Sequence, residues 1–162
     1  MTRDEDVAMA ARMSRRASRM RVANTVMRRV LNLPFRTPIS EKLMLLFYRG
    51  RRTGRAYRQP VSYVRDGDVL LTPGGGRWKE NLRDDEPISA RVAGRMQRVR
   101  PEFVRDPSEV ERLLLLMMVK NTRLTSFVPF IGGDGQLDRA GLQLALDHGF
   151  CVVRWRIEGG RS

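Results

Sequence analysis

From residue 43 to residue 104 the chain is a row of short apolar runs separated by glycine and proline turns. Runs of this length suit strands, and turns this tight join strands to their immediate neighbours. Residues 43–48 form the first run. Residues 57–64 and 68–72 flank Arg65-Asp66-Gly67, where the Asp-Gly pair supplies the positive-φ positions a tight hairpin requires. Residues 87–93 and 95–104 pivot at Gly94, and residues 150–157 make a last strand. About six strands, mostly hairpin-linked and accompanied by few helices, predict a small α+β barrel.

Four segments read as helical. Met13, Ala17, Met20, Ala23, Met27 and Val30 recur at three- and four-residue spacing, with arginines mostly elsewhere on the wheel. This predicts a basic helix over residues 12–31. Pro34 ends it, and Pro38 with Ser40 marks a connector, so residues 1–40 read as a basic helix and linker ahead of a domain over 41–162. Asp106, Pro107 and Glu109 stand as N-cap, first-turn proline and N3 acid of a helix running to about Lys120. Its run 113–119 is apolar all round, which predicts burial on both sides or a cover over a substrate channel. Residues 77–82 make one or two helical turns, and residues 136–147 a further helix stopped by Gly149. His148 beside that glycine reads as a helix-end residue favoured by the dipole. Trp78 and Trp155 read as core anchors, and Cys151 as a small hydrophobe in an apolar strand.

Composition narrows the chemistry. Against 18 Asp+Glu the chain carries 31 Lys+Arg, a formal net charge of +13, and the first 60 residues hold 15 of those basic residues with only 4 acids. Just Lys42, Lys79 and Lys120 are lysines. The arginine fork suits phosphate and carboxylate, so the cluster implies an anionic partner. An anionic membrane surface in peripheral contact with the N-terminal helix is one such partner. Nucleic acid is another, but no helix-turn-helix, RNP or zinc motif is present and aromatics are scarce over residues 1–34; none is expected. A single cysteine excludes an internal disulfide and cysteine-rich metal centres, and a single histidine excludes multi-histidine sites, so no metal is expected. No apolar run approaches the roughly 18–20 residues of a membrane span, and no secretory signal opens the chain, which makes a reducing cytoplasm the expected compartment.

The segment LLFYRGRRTGRAYRQP, residues 45–60, carries the most chemistry. A strand ends at Tyr48 and a loop follows with Gly50 and Gly54, bearing Arg49, Arg51, Arg52, Arg55 and Arg58. Glycines let backbone approach a ligand, and arginines between them can clamp phosphate oxygens. The spacing is neither that of a P-loop nor that of a dinucleotide-binding G-x-G-x-x-G. Taken alone, such a loop also describes a solvated hairpin.

The order Gly50-Arg51-Arg52-Thr53-Gly54, Pro60-Val61-Ser62-Tyr63-Val64, Arg65-Asp66-Gly67-Asp68 and Trp78-x-x-Asn81-Leu82-Arg83 resembles the deazaflavin-dependent nitroreductase family. That family belongs to the split-barrel flavin-binding superfamily that includes pyridoxamine-phosphate oxidase. The resemblance covers residues 43–103 closely, and the helix begun at Asp106-Pro107 and the last strand more loosely. It implies a split β-barrel that binds coenzyme F420, a deazaflavin with a phosphate and an acidic glutamate tail. On this resemblance Arg52 takes the place of the phosphate-binding basic residue, within a loop matched by Gly50, Thr53 and Gly54. Pro60 matches a proline beside the ring system. Thr72, Pro73, Gly74, Gly75 and Gly76 occupy the second cofactor-contacting loop, and Trp78 and Asn81 match the W-x-x-N-L element below it.

Two departures stand out. Tyr57 replaces a second basic phosphate ligand, with Arg55 and Arg58 beside it able to substitute, and the loop at 74–77 is short. Flavin mononucleotide (FMN) therefore stays open as the alternative coenzyme. Hydride chemistry on a cofactor suits a chain with one histidine and one cysteine, because the cofactor carries the reactive atoms and the protein supplies binding and orientation. The implied function is an F420-dependent oxidoreductase reducing a small apolar acceptor such as a quinone or nitro compound. The alternative is a flavin-, haem- or deazaflavin-binding protein of the same fold without turnover. A homodimer is compatible with either.

Overall fold

The computed structural model describes residues 27–30, 32–34, 37–38, 40–126, 128, 130–132 and 134–159. Seven strands occur among them: β1 (Leu43–Arg49), β2 (Ala56–Ser62), β3 (Val64–Asp66), β4 (Val69–Gly74), β5 (Ile88–Val92), β6 (Arg95–Val104) and β7 (Cys151–Ile157). Two α-helices, α1 (Pro107–Lys120) and α2 (Arg139–Asp147), lie between β6 and β7, and a 3-10 turn (Arg77–Asn81) follows β4. Every strand pairing is antiparallel, in the order β2-β1-β5-β6-β7-β4-β3.

That order makes the sheet a barrel. β2 and β3 occupy opposite ends of it, yet Tyr63 alone separates them in the chain. Two edges joined by one residue require the sheet to curl until they meet. The corner is held by Tyr63, whose N–H donates to the Lys42 carbonyl at 2.9 Å and whose hydroxyl donates to the Ser40 carbonyl at 2.9 Å. The result is an α+β split β-barrel.

One strand expected over 57–64 is therefore two. β2 pairs with β1 along its whole length, from Leu43↔Ser62 to Arg49↔Ala56, whereas β3 pairs with β4. The residues find hydrogen-bond partners on different sheet edges, so the chain has to turn between them. The hairpin at Asp66 does form, with Gly67 at φ +57°. The turn between β5 and β6 puts both Ala93 (φ 47°) and Gly94 (φ 78°) in the left-handed region, which a two-residue hairpin of matching twist requires.

Strand alternation divides the apolar residues between two cores. Met44, Leu46, Val61, Leu70, Val153 and Trp155 fill the barrel interior. Leu71 and Val152, on the other face of β4 and β7, pack with the helices: Leu113, Leu114 and Met117 of α1, Leu142 of α2, and Phe130 and Phe150. Helix α1 begins as its sequence predicts, with the Asp106 carboxylate accepting the Glu109 N–H at 3.0 Å. Glu109 then accepts from Arg112 at 2.7 Å and from Arg154 of β7 at 3.0 Å, tying the helix to the sheet. Of the two readings of its uniform apolarity, burial on both sides is not met: α1 is buried along one side only. Val110, Leu113, Leu114 and Met117 face the core at helical spacing, while Leu115 is 44% and Val119 83% exposed. Helix α2 starts at Arg139, three residues after the expected start, because Leu137 is held in a β-bridge to Ile131.

Residues 27–30 are helical. The remainder of the helix expected over 12–31, and with it the proposed membrane-facing surface, lies outside the described residues. Among the described residues no helix is long and apolar enough to cross a membrane.

Candidate cofactor cleft

The turn after β4 and the segment leading into β7 border a common opening. Two adjoining chambers form there. One, of about 480 Å³, is lined by Pro60, Val61, Ser62, Pro73, Trp78 and Phe130, and by Ala145, His148 and Phe150. The other, of about 390 Å³, is lined by Arg51, Arg77, Lys79, Glu80 and Arg105, with Leu82, Phe103 and Gly149. Gly75, Gly76 and His148 border both. The first chamber is walled mainly by apolar and aromatic groups, and the second carries four cationic side chains against one carboxylate.

Each wall follows from local structure. Trp155 is fully buried and donates its indole N–H to the Thr72 hydroxyl at 3.1 Å, and Trp78 lies nearly parallel on it with ring centroids 6.1 Å apart. Trp155 is thus a core anchor, and Trp78 uses it as a backing while its other surface borders the cleft. Phe130 and Phe150 meet edge to face at 4.9 Å, the arrangement favoured by the aromatic quadrupole. Gly74 lies against β7 so closely that a Cβ would stand 2.8 Å from Cys151 Sγ, and Lys79 Nζ donates to the Gly74 carbonyl. At Gly75 a Cβ would meet only Phe150 ring carbons, at 3.7 and 3.8 Å, so the missing side chain leaves space in the cleft. Burial pushes the Cys151 thiol above its ordinary range, with Lys79 and Arg105 opposing the shift. A thiol so placed is a poor nucleophile.

Of the residues singled out from the sequence, Arg51, Pro60, Pro73, Gly75, Gly76 and Trp78 border the cleft. Asn81 supports it from behind, its side-chain oxygen accepting the Arg51 N–H at 3.1 Å and its amide donating to the Trp78 carbonyl at 3.4 Å. Thr72 is held by Trp155 and Gly74 lies against Cys151, and neither borders a chamber. The rest of the first loop borders neither chamber. Arg52, Thr53, Gly54 and Arg55 form the exposed β1–β2 hairpin tip, closed by Gly54 N–H to the Gly50 carbonyl at 2.9 Å. Tyr57 stacks on Tyr48 at 5.7 Å, and Arg58 lies over the Phe47 ring at 5.7 Å. Burial and the neighbouring Tyr57 raise the Tyr48 hydroxyl above its ordinary value, against Arg28. Lys79, Arg105, Phe130, His148 and Phe150 border the cleft without a motif to announce them.

Neither a family model nor a curated protein matches the chain. Among solved structures, an F420H2-dependent reductase (FDR-A) is similar over 71% of this chain and 94% of its own, at 14% identity and a TM-score of 0.47. A protein of Listeria innocua described as a pyridoxamine 5′-phosphate oxidase is similar over 72% and 84%, at 13% identity and a TM-score of 0.46. The haem storage protein HutZ of Vibrio cholerae is similar over 74% and 84%, at 15% identity and 0.45. Solved structures similar to this chain thus include F420-dependent reductases, a protein described as a pyridoxamine 5′-phosphate oxidase and a haem storage protein.

Proposed function

We propose that the protein is an F420-dependent oxidoreductase that reduces a small apolar acceptor such as a quinone or nitro compound. The observation that carries this reading is the junction of an aromatic-walled chamber with a cationic one across the glycines at 75 and 76. A ligand with a planar ring at one end and anionic groups at the other is the chemistry complementary to both halves. Their volumes fall within the range of about 300–1,000 Å³ usual for ligand sites. Arg51, Arg77, Lys79 and Arg105 would hold the phosphate and carboxylates. Pro60 and Trp78 would flank the ring, while Phe130 and Phe150 keep water from it. A bound deazaflavin supplies the hydride; the protein binds, orients and desolvates. Four cations exceed what one phosphate needs, which favours the deazaflavin with its acidic tail over FMN.

Titration of the purified protein with coenzyme F420 and with FMN, read by quenching of cofactor fluorescence, tests the assignment. Tighter binding of F420, by about tenfold or more, is expected. Equal or tighter binding of FMN would overturn the coenzyme assignment. Reoxidation of the reduced deazaflavin on addition of a naphthoquinone separates an enzyme from a non-catalytic binding protein.

A further inference from the structure

His148 is the chain's only histidine, and it stands at the seam where both chambers meet. It caps the C-terminus of α2, with ring Nδ1 2.8 Å from the Leu144 carbonyl oxygen. A carbonyl oxygen can only accept, so in the neutral ring the proton belongs on Nδ1. The tautomer is thereby set by the helix end, which leaves Nε2 as the nitrogen not engaged by the helix. The residue is also exposed, so water can resupply that proton. Among the described residues Tyr48, Tyr57 and Tyr63 do not border the cleft, and Cys151 is buried beneath it. Imidazole can both donate and accept a proton at a ring nitrogen, and among the described residues that border the cleft His148 alone carries one.

We infer that His148 is the general acid of the reduction, protonating the acceptor oxygen through Nε2. This rests on the proposed hydride chemistry of the cleft. When a quinone takes a hydride, two electrons and one proton arrive, and a carbonyl oxygen is left with the displaced electron pair. That oxygen requires a second proton. The Nε2–H bond of the imidazolium breaks, the O–H bond forms, and neutral imidazole regains a proton from water. The quinone is reduced by two electrons to the hydroquinone, and the reduced deazaflavin is oxidised by two. The charged groups around His148 are Arg51, Arg77, Lys79 and Arg105 across the cationic chamber, Glu80 beside them, and Asp147 on its own helix. Asp147 accepts from the Gln143 side chain at 2.9 Å.

A chain with one histidine gives one set of imidazole resonances, so the ring can be followed by NMR without assignment. In the full-length protein the neutral ring is expected as the Nδ1–H tautomer. Its signals are expected to move when a naphthoquinone is added to the complex with oxidised deazaflavin, which cannot react. His148→Asn keeps an amide donor near the Nδ1 position for Leu144 and removes the titrating nitrogen; His148→Gln keeps a polar group near Nε2. Both are expected to bind F420 within threefold of the parent, to lose turnover by roughly 100-fold, and to lose the corresponding limb of the pH–rate profile. A folded His148→Asn with parental turnover and pH profile, or imidazole signals unmoved by the quinone, would overturn the proposal while leaving the coenzyme assignment intact. Absence of F420 quenching in the parent would overturn both.

Discussion

Arg51 and Arg52 are adjacent, and the chain sends them to different surroundings. Arg51 borders the cationic chamber, its N–H held by Asn81 and its guanidinium donating to the Glu80 carbonyl at 3.4 Å. Arg52 belongs to the exposed hairpin tip, where the resemblance places the phosphate ligand. Arg51→Ala is expected to weaken F420 binding by about 1.5–3 kcal/mol, the range for hydrogen bonds to a charged partner, and Arg52→Ala by less than about 0.5 kcal/mol. The quenching titration measures both, and the opposite ranking would move the phosphate out to the hairpin. The motif drew attention to Pro60, Gly75, Gly76 and Trp78 because a glycine loop and W-x-x-N element are local patterns. Phe130, His148 and Phe150 carry no such pattern. They come from segments far along the chain and reach the cleft only because β4 and β7 pair, with Gly74 opposite Cys151.

At the scale of elements, α1 was the most legible piece. Asp106, Pro107 and Glu109 encode its start in four residues, and the same Glu109 has a second use that only the folded chain provides. The Arg112 guanidinium hydrogen-bonded to it, aided by Arg154 of β7 and opposed by partial burial, holds its carboxyl down to about 2 from the ordinary 4.5. A carboxyl depressed on folding stabilises the native state above the ordinary value and loses that contribution as pH falls toward the native one. The melting temperature of Glu109→Gln is therefore expected to fall below the parent's at neutral pH, with the gap closing between about 4.5 and about 2. A gap of constant size across that window would show that the carboxylate charge is not what ties α1 to β7. The apolar run 113–119 misled for a physical reason: hydropathy gives no direction, and the sheet offers α1 a single face. The strand boundary at Tyr63 was hidden likewise. Tyr63 and Val64 are both buried, at 5% and 6%, and two successive buried residues break the alternation of a half-exposed strand. That signal becomes readable once the two residues are known to enter different cores.

The whole molecule depends on the closure at Tyr63, because that residue converts a seven-stranded sheet with two free ends into a barrel. β2 brings Pro60, Val61 and Ser62 to the apolar chamber, and β4 brings Pro73 with Gly75 and Gly76 just beyond it. The cleft thus lies where the two sheet ends are drawn together, and its width is coupled to how firmly they are joined. Removing the Tyr63 hydroxyl takes a donor from the carbonyl of Ser40, itself only 3% exposed. A buried acceptor deprived of its partner costs about 1–3 kcal/mol. Tyr63→Phe keeps the ring in the interior and the N–H bond to Lys42, so the barrel is expected to form with stability lowered by that amount, read from the denaturant midpoint. If closure sets the cleft, F420 binding in the folded variant should weaken too, although Tyr63 does not border either chamber. Lost stability with unchanged affinity would mean that the cleft walls are held by their own strands, and that the corner serves the barrel alone.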